Sequence, residues 1–292
     1  MSAPLSPDLR GAALMTAAMA GFAIEDLFIK RAALSLPVGQ VMVLMGFSGA
    51  LVFALMARAR GEAALPRVFL SRPMLIRSGF EISGRLFYSL ALALTPMSAT
   101  VAILQATPLV VLAGAALIFG EQVGWRRWSA VIVGFIGVLI VLRPGAEGFS
   151  ALSLLAVAGM LGFAGRDLAT RAAPQSMSNR QLGTLGFAML GFAGVIVLGF
   201  TGEAHIPDLR EAGLVLGATV FGVAAYNALT AAMRTGDVSA VTPFRYTRLI
   251  FAMILAVLIL GESPDAATIL GSAIIVVSGL YTLLRARRKA LR

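Results

Sequence analysis

MSATVAILQATPLVVLAGAALIFGE, residues 97–121, is a run of apolar and small residues broken by Pro108 and closed by Gly120-Glu121. It is long enough to cross a bilayer, which takes about 20 such residues in a helix. The chain writes the stretch a second time. Val238-Ser239-Ala240 answers Met97-Ser98-Ala99, and Gly261-Glu262 answers Gly120-Glu121, both at an offset of 141 residues. The same offset carries Gly21-Phe22-Ala23 onto Gly162-Phe163-Ala164, Asp26-Leu27 onto Asp167-Leu168 and Gln40 onto Gln181. Lys30 is answered by Arg171. An ungapped match of this kind reads as two fused copies of one unit, expected over residues 1–146 and 147–292.

The bulk properties agree with a membrane protein. Of 292 residues, 59% are hydrophobic and 13% charged, where a soluble domain carries roughly 25% charged residues. Long uncharged runs, rather than alternating patterns, point to helices over a barrel. The net charge of +10 is spread over short loops and the C-terminal tail, without the aromatic-interleaved basic stripe that a nucleic-acid surface needs. No nucleic-acid partner is expected. Cysteine is absent, which removes disulfides and thiolate metal sites. The N-terminus MSAPLSPDLR lacks the features of a removable signal peptide, so the first apolar run is expected to stay as a helix.

Ten segments can span a membrane: 10–30, 38–58, 72–94, 97–119 and 125–142, then 150–172, 179–200, 211–233, 238–260 and 265–285. Turn sequences such as Leu36-Pro37-Val38-Gly39, Arg143-Pro144-Gly145 and Gly261-Glu262-Ser263-Pro264 separate them. Five spans per copy is odd, so the second copy enters the membrane from the opposite side. The expected fold is all-α and integral to the membrane, with ten transmembrane helices in two inverted-topology five-helix repeats. That plan recurs in secondary transporters, with the site between the halves near the midplane. With both termini on one side, fifteen Lys and Arg of the loops fall on that side and four on the other. The positive-inside rule therefore puts both termini in the cytoplasm. Trp125 and Trp128, flanking Arg126-Arg127, fit an inner-interface aromatic belt.

The twice-written pattern resembles the EamA repeat of the drug/metabolite transporter superfamily over nearly the whole chain. Its residues are Pro96-Met97-Ser98-Ala99, Pro108, Gly120-Glu121 and Gly137, then Asp237-Val238-Ser239-Ala240, Pro243, Gly261-Glu262, Gly271 and Gly279. One departure is in the second helix, which in such proteins often carries an Arg where this chain has Met45-Gly46. The resemblance implies a transporter of the bacterial inner membrane. The ten-helix organisation is similar to bacterial amino-acid and metabolite exporters, aromatic amino-acid exporters among them.

Charges inside spans mark the candidate site, since each costs about 2.5–3.5 kcal/mol on insertion scales. Arg77, Glu81, Arg85 and Tyr88 lie on one face of the third helix. They read either as a cavity wall for both ends of a zwitterion or as a self-neutralising stripe. In the first reading Arg85 takes a carboxylate and Glu81 an ammonium or a coupling proton. Arg245, Tyr246 and Arg248 sit beside Pro243 in the ninth helix. Arg245 is a second carboxylate ligand, unless both arginines pair with Glu81 or backbone. Pro108 and Pro243 are candidate hinges, each leaving an unpaired carbonyl, at Leu104 and Ser239. The i,i+4 pairs Asp26/Lys30 and Asp167/Arg171 are candidate outer and inner gates, or only local helix pairs. Phe22, Phe163, Gln105, Tyr226 and Asn227 complete a polar and aromatic lining, each also compatible with ordinary packing. Gly159, Gly162 and Gly165, like Gly134 and Gly137, read as close-packing positions, and Glu121 and Glu262 as structural residues of the repeat.

Enzyme chemistry finds no support: His205 is the single histidine, and no nucleophile elbow, zinc-protease or phosphate-loop motif occurs. No cofactor or metal is expected. The partners are a small-molecule substrate and the lipid bilayer. The function expected is export of small amphiphilic metabolites, amino acids including aromatic ones foremost, by alternating access. The alternatives are efflux of drugs or lipophilic cations and a pore-type channel. Because one chain holds both orientations, a monomer is expected to suffice.

Overall fold

Helices account for every crossing in the computed structural model, which describes residues 7–120, 124–143, 150–171, 177–235 and 241–290; for Arg127, Arg171 and 282–290 only the backbone is described. The first half contains α1 (Pro7–Ala32), α2 (Val38–Arg58), α3 (Arg72–Leu94), α4 (Met97–Leu104), α5 (Thr107–Phe119) and α6 (Trp125–Leu142). The second contains α7 (Ser153–Arg171), α8 (Asn179–Thr201), α9 (Leu209–Thr235), a 3₁₀ turn at Thr242–Tyr246, α10 (Thr247–Leu260) and α11 (Ala266–Ala290). Ten crossings result, because α4 and α5 share the fourth and the 3₁₀ turn and α10 share the ninth. Six crossings are long and apolar enough to span by length and composition alone, and residues 128–142 and 266–281 form shorter apolar helices. The two that remain, α3 and α7, are those loaded with internal charge, which is why their composition hides them.

The fourth crossing was expected as one kinked helix and is two. Helix α4 ends at Leu104, and Thr107-Pro108 open α5, where a proline is tolerated because the first-turn N–H has no helical partner. The Leu104 carbonyl is not free as expected, since Thr107 Oγ1 donates to it at 2.6 Å. In the ninth crossing Pro243 opens the 3₁₀ turn, and Thr247 Oγ1 donates to the Phe244 carbonyl at 2.7 Å. Ser239 lies outside the described residues. Gly120 and Gly261 end their helices with φ of 67° and 68°, a left-handed cap that a side chain would strain.

The halves interlock by exchange. Helix α1 packs on α9 and α7 on α3, so the first helix of each half lies on the third of the other; α2 packs on α8 and α6 on α11. Glycines let these backbones touch. A Cβ on Gly46 would stand 2.2 Å from the Gly191 nitrogen, and one on Gly162 2.4 Å from that of Gly84. Such approach drives helix association in lipid, where hydrophobicity cannot. Two glutamines display the pseudo-two-fold. Gln40, opening α2, donates Nε2 to the His205 carbonyl at 2.5 Å and accepts from its N–H at 3.2 Å. Its repeat mate Gln181, opening α8, donates to the Ala63 carbonyl at 2.9 Å. Each ties the opening of one half's second helix to the loop that follows the other half's second helix.

Candidate functional site

Where α1, α3, α7 and α10 face one another, five guanidinium groups and four carboxylates lie within the spans: Arg77, Arg85, Arg166, Arg245 and Arg248 against Glu25, Asp26, Glu81 and Asp167. Glu81, 1% exposed, is the anchor. Arg85 Nε donates to its Oε1 at 3.1 Å, Arg166 Nη1 lies 3.4 Å from that oxygen and Arg77 Nη2 3.5 Å from Oε2. The charged stripe on α3 therefore does pair along its own helix, but it also reaches across the repeat interface to α7. Arg166 in turn holds Asp167 through Nε and Nη2 at 2.9 and 2.7 Å. Arg77 Nε donates to Thr170 Oγ1 at 3.0 Å, a second α3–α7 link.

A second buried link joins α1 to α10. Arg248 donates to Asp26 Oδ2 from Nε and Nη2 at 3.2 and 2.7 Å, and from Nη2 to Tyr88 Oη at 3.2 Å. Asp26 is therefore not paired with Lys30, the gate expected from their i,i+4 spacing. Lys30 Nζ donates instead to the carbonyls of Leu92 and Thr95 at 3.0 and 2.6 Å. Asp167 takes Arg166 as partner, and the Arg171 side chain lies outside the described residues. Asp26 thus finds its partner on another helix, whereas Asp167 pairs with its own neighbour in sequence.

Aromatic rings fill the space between these charges. The Arg166 and Arg85 guanidiniums lie 4.9 and 5.8 Å from the centroid of Phe163, and Arg248 lies 5.2 Å from that of Phe22. The repeat mates Phe22 and Phe163 thus each carry arginine, a favourable contact with the ring quadrupole. Tyr226 packs edge-on to Phe53 and Phe187. Phe187, which sequence reasoning passed over, lies under Arg85 at 5.9 Å. Asn227 bonds within its own helix, to the Val223 carbonyl at 3.0 Å. Gln105 Nε2 donates to the Arg245 carbonyl at 3.1 Å and so joins the two helix breaks, while Tyr246 and Tyr88 are buried. The Arg245 guanidinium is half-buried, and among the described residues nothing hydrogen-bonds or ion-pairs with it.

At the end of the bundle where α1 finishes, the repeat motif itself makes the closure. Glu262 accepts from the Met97 and Ser98 N–H groups at 2.6 and 3.0 Å and from Ser98 Oγ at 2.7 Å. The Glu of one repeat thus caps the Ser-Ala helix of the other, where the exposed amides and the positive end of the helix dipole attract a carboxylate. Arg31 Nη2 adds a bond to the Ile259 carbonyl at 3.1 Å, and Arg143 pairs with Asp265. Glu121, Val238, Ser239 and Ala240 lie outside the described residues.

The sequence profile of the EamA-like transporter family matches residues 9–143 and 151–284, one copy on each half. The chain belongs to the EamA-like transporter family. Among its relatives is the S-adenosylmethionine uptake transporter of Rickettsia bellii, 28% identical over 76% of each chain. The riboflavin transporter of Vibrio cholerae is 30% identical over 70% of this chain and 68% of its own. The pseudopaline exporter of Pseudomonas aeruginosa is 28% identical over 93% of this chain and 95% of its own. A solved crystal structure superposes with a TM-score of 0.62 at 19% identity, over 92% of this chain and 98% of the other, which supports the fold. The protein is a multi-pass membrane transporter of small molecules.

Proposed function

We propose that this transporter carries amphiphilic metabolites bearing an anionic group and a flat apolar part, amino acids and amino-acid-like compounds foremost, by alternating access between its two inverted halves. The observation that carries the reading is Arg245. Three of the five guanidiniums share Glu81, Arg248 holds Asp26, and Arg245 is the one that makes no ion pair among the described residues. A half-buried arginine of this kind presents a planar fork suited to a carboxylate. Asp167, whose side chain is 30% exposed and which among the described residues pairs with Arg166, supplies the matching acceptor for an ammonium group. Glu81 is surrounded by arginines, so its role is to hold Arg85 and Arg166 in position. Phe22, Phe163 and Tyr226 offer ring surfaces for the apolar part.

The relatives support a cargo of this chemistry, since S-adenosylmethionine joins an amino-acid group to a flat base and riboflavin is built on a flat ring. They include both uptake transporters and an exporter. Export is the direction we propose, from a cytoplasmic membrane with both termini inside and from a monomer that contains both repeat orientations. Counterflow of labelled aromatic amino acids and of S-adenosylmethionine in proteoliposomes tests the reading. Trans-stimulated exchange is expected. Arg245→Ala should lower kcat/KM at least tenfold, about 1.5–3 kcal/mol for a hydrogen bond to a charged group, and Arg245→Lys should recover part of it. Flux that follows the gradient without trans-stimulation would mean a channel. Intact transport of a lipophilic cation in Arg245→Ala would mean a different cargo class.

A further inference from the structure

The repeat offset that places Asp26 on Asp167 also places Glu25 on Arg166 and Gly222 on Glu81. The two exchanged crossings, α7 on α3 and α1 on α9, therefore present the same two positions with different chemistry. In one, Arg166 meets Glu81 as an ion pair. In the other, Glu25 meets a glycine: a Cβ on Gly222 would stand 2.8 Å from Glu25 Oε1. The position that carries a cation on α7 carries an acid on α1, and the residue facing it is a glycine, so Glu25 finds no counter-ion there. Glu25 is 3% exposed and its Oε1 has no hydrogen-bond partner. No ion pair neutralises it among the described residues.

Every element packed around Glu25 has been spoken for or is uncharged. On α9 it faces Gly222, and from α2 the Met45 methyl group lies against the same glycine. On α1 its neighbour Asp26 already holds Arg248 of α10. On α3, Arg85 is bound to Glu81 and Tyr88 is bound to Arg248. An ionised carboxylate without a partner is not tolerated in such surroundings; it takes a partner or a proton. With no cationic side chain left to pair with Oε1 among the described residues, the cation that needs no further space is a proton.

We propose that Glu25 is a proton-binding site of this transporter, occupied in the conformation seen here. Its carboxyl sits next in sequence to Asp26, so losing the proton places a second anion within the field of Arg248 and Arg85. Deprotonated Glu25 then competes with Asp26 for Arg248 and loosens the α1–α10 link. A proton taken up or released at Glu25 is in this way tied to the packing of the two halves. The site needs only a transporter that changes conformation, and does not depend on the identity of the cargo.

The test uses the full-length protein in nanodiscs and needs no cargo. Infrared difference spectra on titration should show a buried protonated carboxyl at neutral pH that disappears in Glu25→Gln and shifts in Glu25→Asp. Absence of that band in the wild type, or its survival in Glu25→Gln, would overturn the site. Coupling is read separately. The chain has no cysteine, so Val101→Cys, buried behind the Glu262 cap, reports opening of that end by its rate of thiol labelling. Divided by the rate of a small free thiol at the same pH, which removes the rise due to thiolate formation, the labelling rate should rise several-fold with pH in the Val101→Cys protein and lose that dependence when Glu25→Gln is added. A pH dependence unchanged by Glu25→Gln would refute the coupling while leaving the cargo reading untouched.

Discussion

Glu81 shows how much a single buried side chain can organise. Its carboxylate is approached by Arg77, Arg85 and Arg166, and removing its charge leaves three cations in a membrane interior. Breaking a buried ion pair by deleting one partner typically costs about 3–5 kcal/mol. Glu81→Gln should therefore lower stability by that order, read as thermal unfolding in detergent or nanodiscs, and should depress transport of every cargo alike. Arg245→Ala, by contrast, should leave stability near wild type while transport falls. The identities of these charges were legible in the sequence because charge inside a span has few uses. Their partners were not. Spacing along one helix suggested Asp26 with Lys30, whereas Asp26 finds Arg248 222 residues away. A sequence displays neighbours on its own helix and is silent about which surface will lie opposite. The clue that was present, the sign change from Glu25 to Arg166 at one repeat position, acquires meaning only once Gly222 and Glu81 are seen across from them.

Elements obey the same division. The ten spans and the place of each proline interruption could be read from apolar length and turn residues, but not that the interruption at Pro108 divides the crossing into α4 and α5 instead of kinking one helix. The exchange of partners between halves could not, because glycine spacing marks a close contact without naming its mate. At the α3–α7 crossing a Gly162→Val substitution would drive its side chain into the Gly84 backbone, and a loss of about 1–3 kcal/mol or more is expected from overpacking. Thermal melts should register it, and a smaller loss in the added presence of a compensating deletion on α3 is impossible because Gly84 has nothing to remove. At the opposite end from the Glu262 cap, the loop after α2 is tied to α8: Ser178 Oγ donates to Glu62 Oε2 at 2.5 Å and Arg180 pairs with the same carboxylate. These bonds, that from Arg180 first and that from Ser178 next, hold the Glu62 carboxyl below its ordinary range. A lowered value in the folded protein means the tie contributes above the ordinary carboxylate range and is lost as pH falls through the lower, folded value. Melts of the wild type and Glu62→Gln should accordingly differ at neutral pH and converge only in acid.

On the scale of the whole molecule, the repeat bears on the proposed alternating access. A five-span unit turned over on itself gives two nearly equivalent ways of packing the same helices, which is what a carrier that faces two compartments in turn requires. The charges break that equivalence at Glu25 and Arg166, so the two packings differ in energy and in what can shift them. The interlocking also predicts how the halves behave apart. Residues 1–146 and 147–292 made separately should each be degraded or aggregated, and their co-expression should restore a protein that binds cargo, as measured by recovery of the paired fragments from membranes. The exchange of α1 with α9 and of α3 with α7 carries one more consequence. A ribosome that has finished the first five spans has inserted a set of helices whose mates are still unwritten, with their glycine notches and arginines turned toward lipid. The early helices must wait in the bilayer, shielded by lipid or an insertion partner, until synthesis is nearly over.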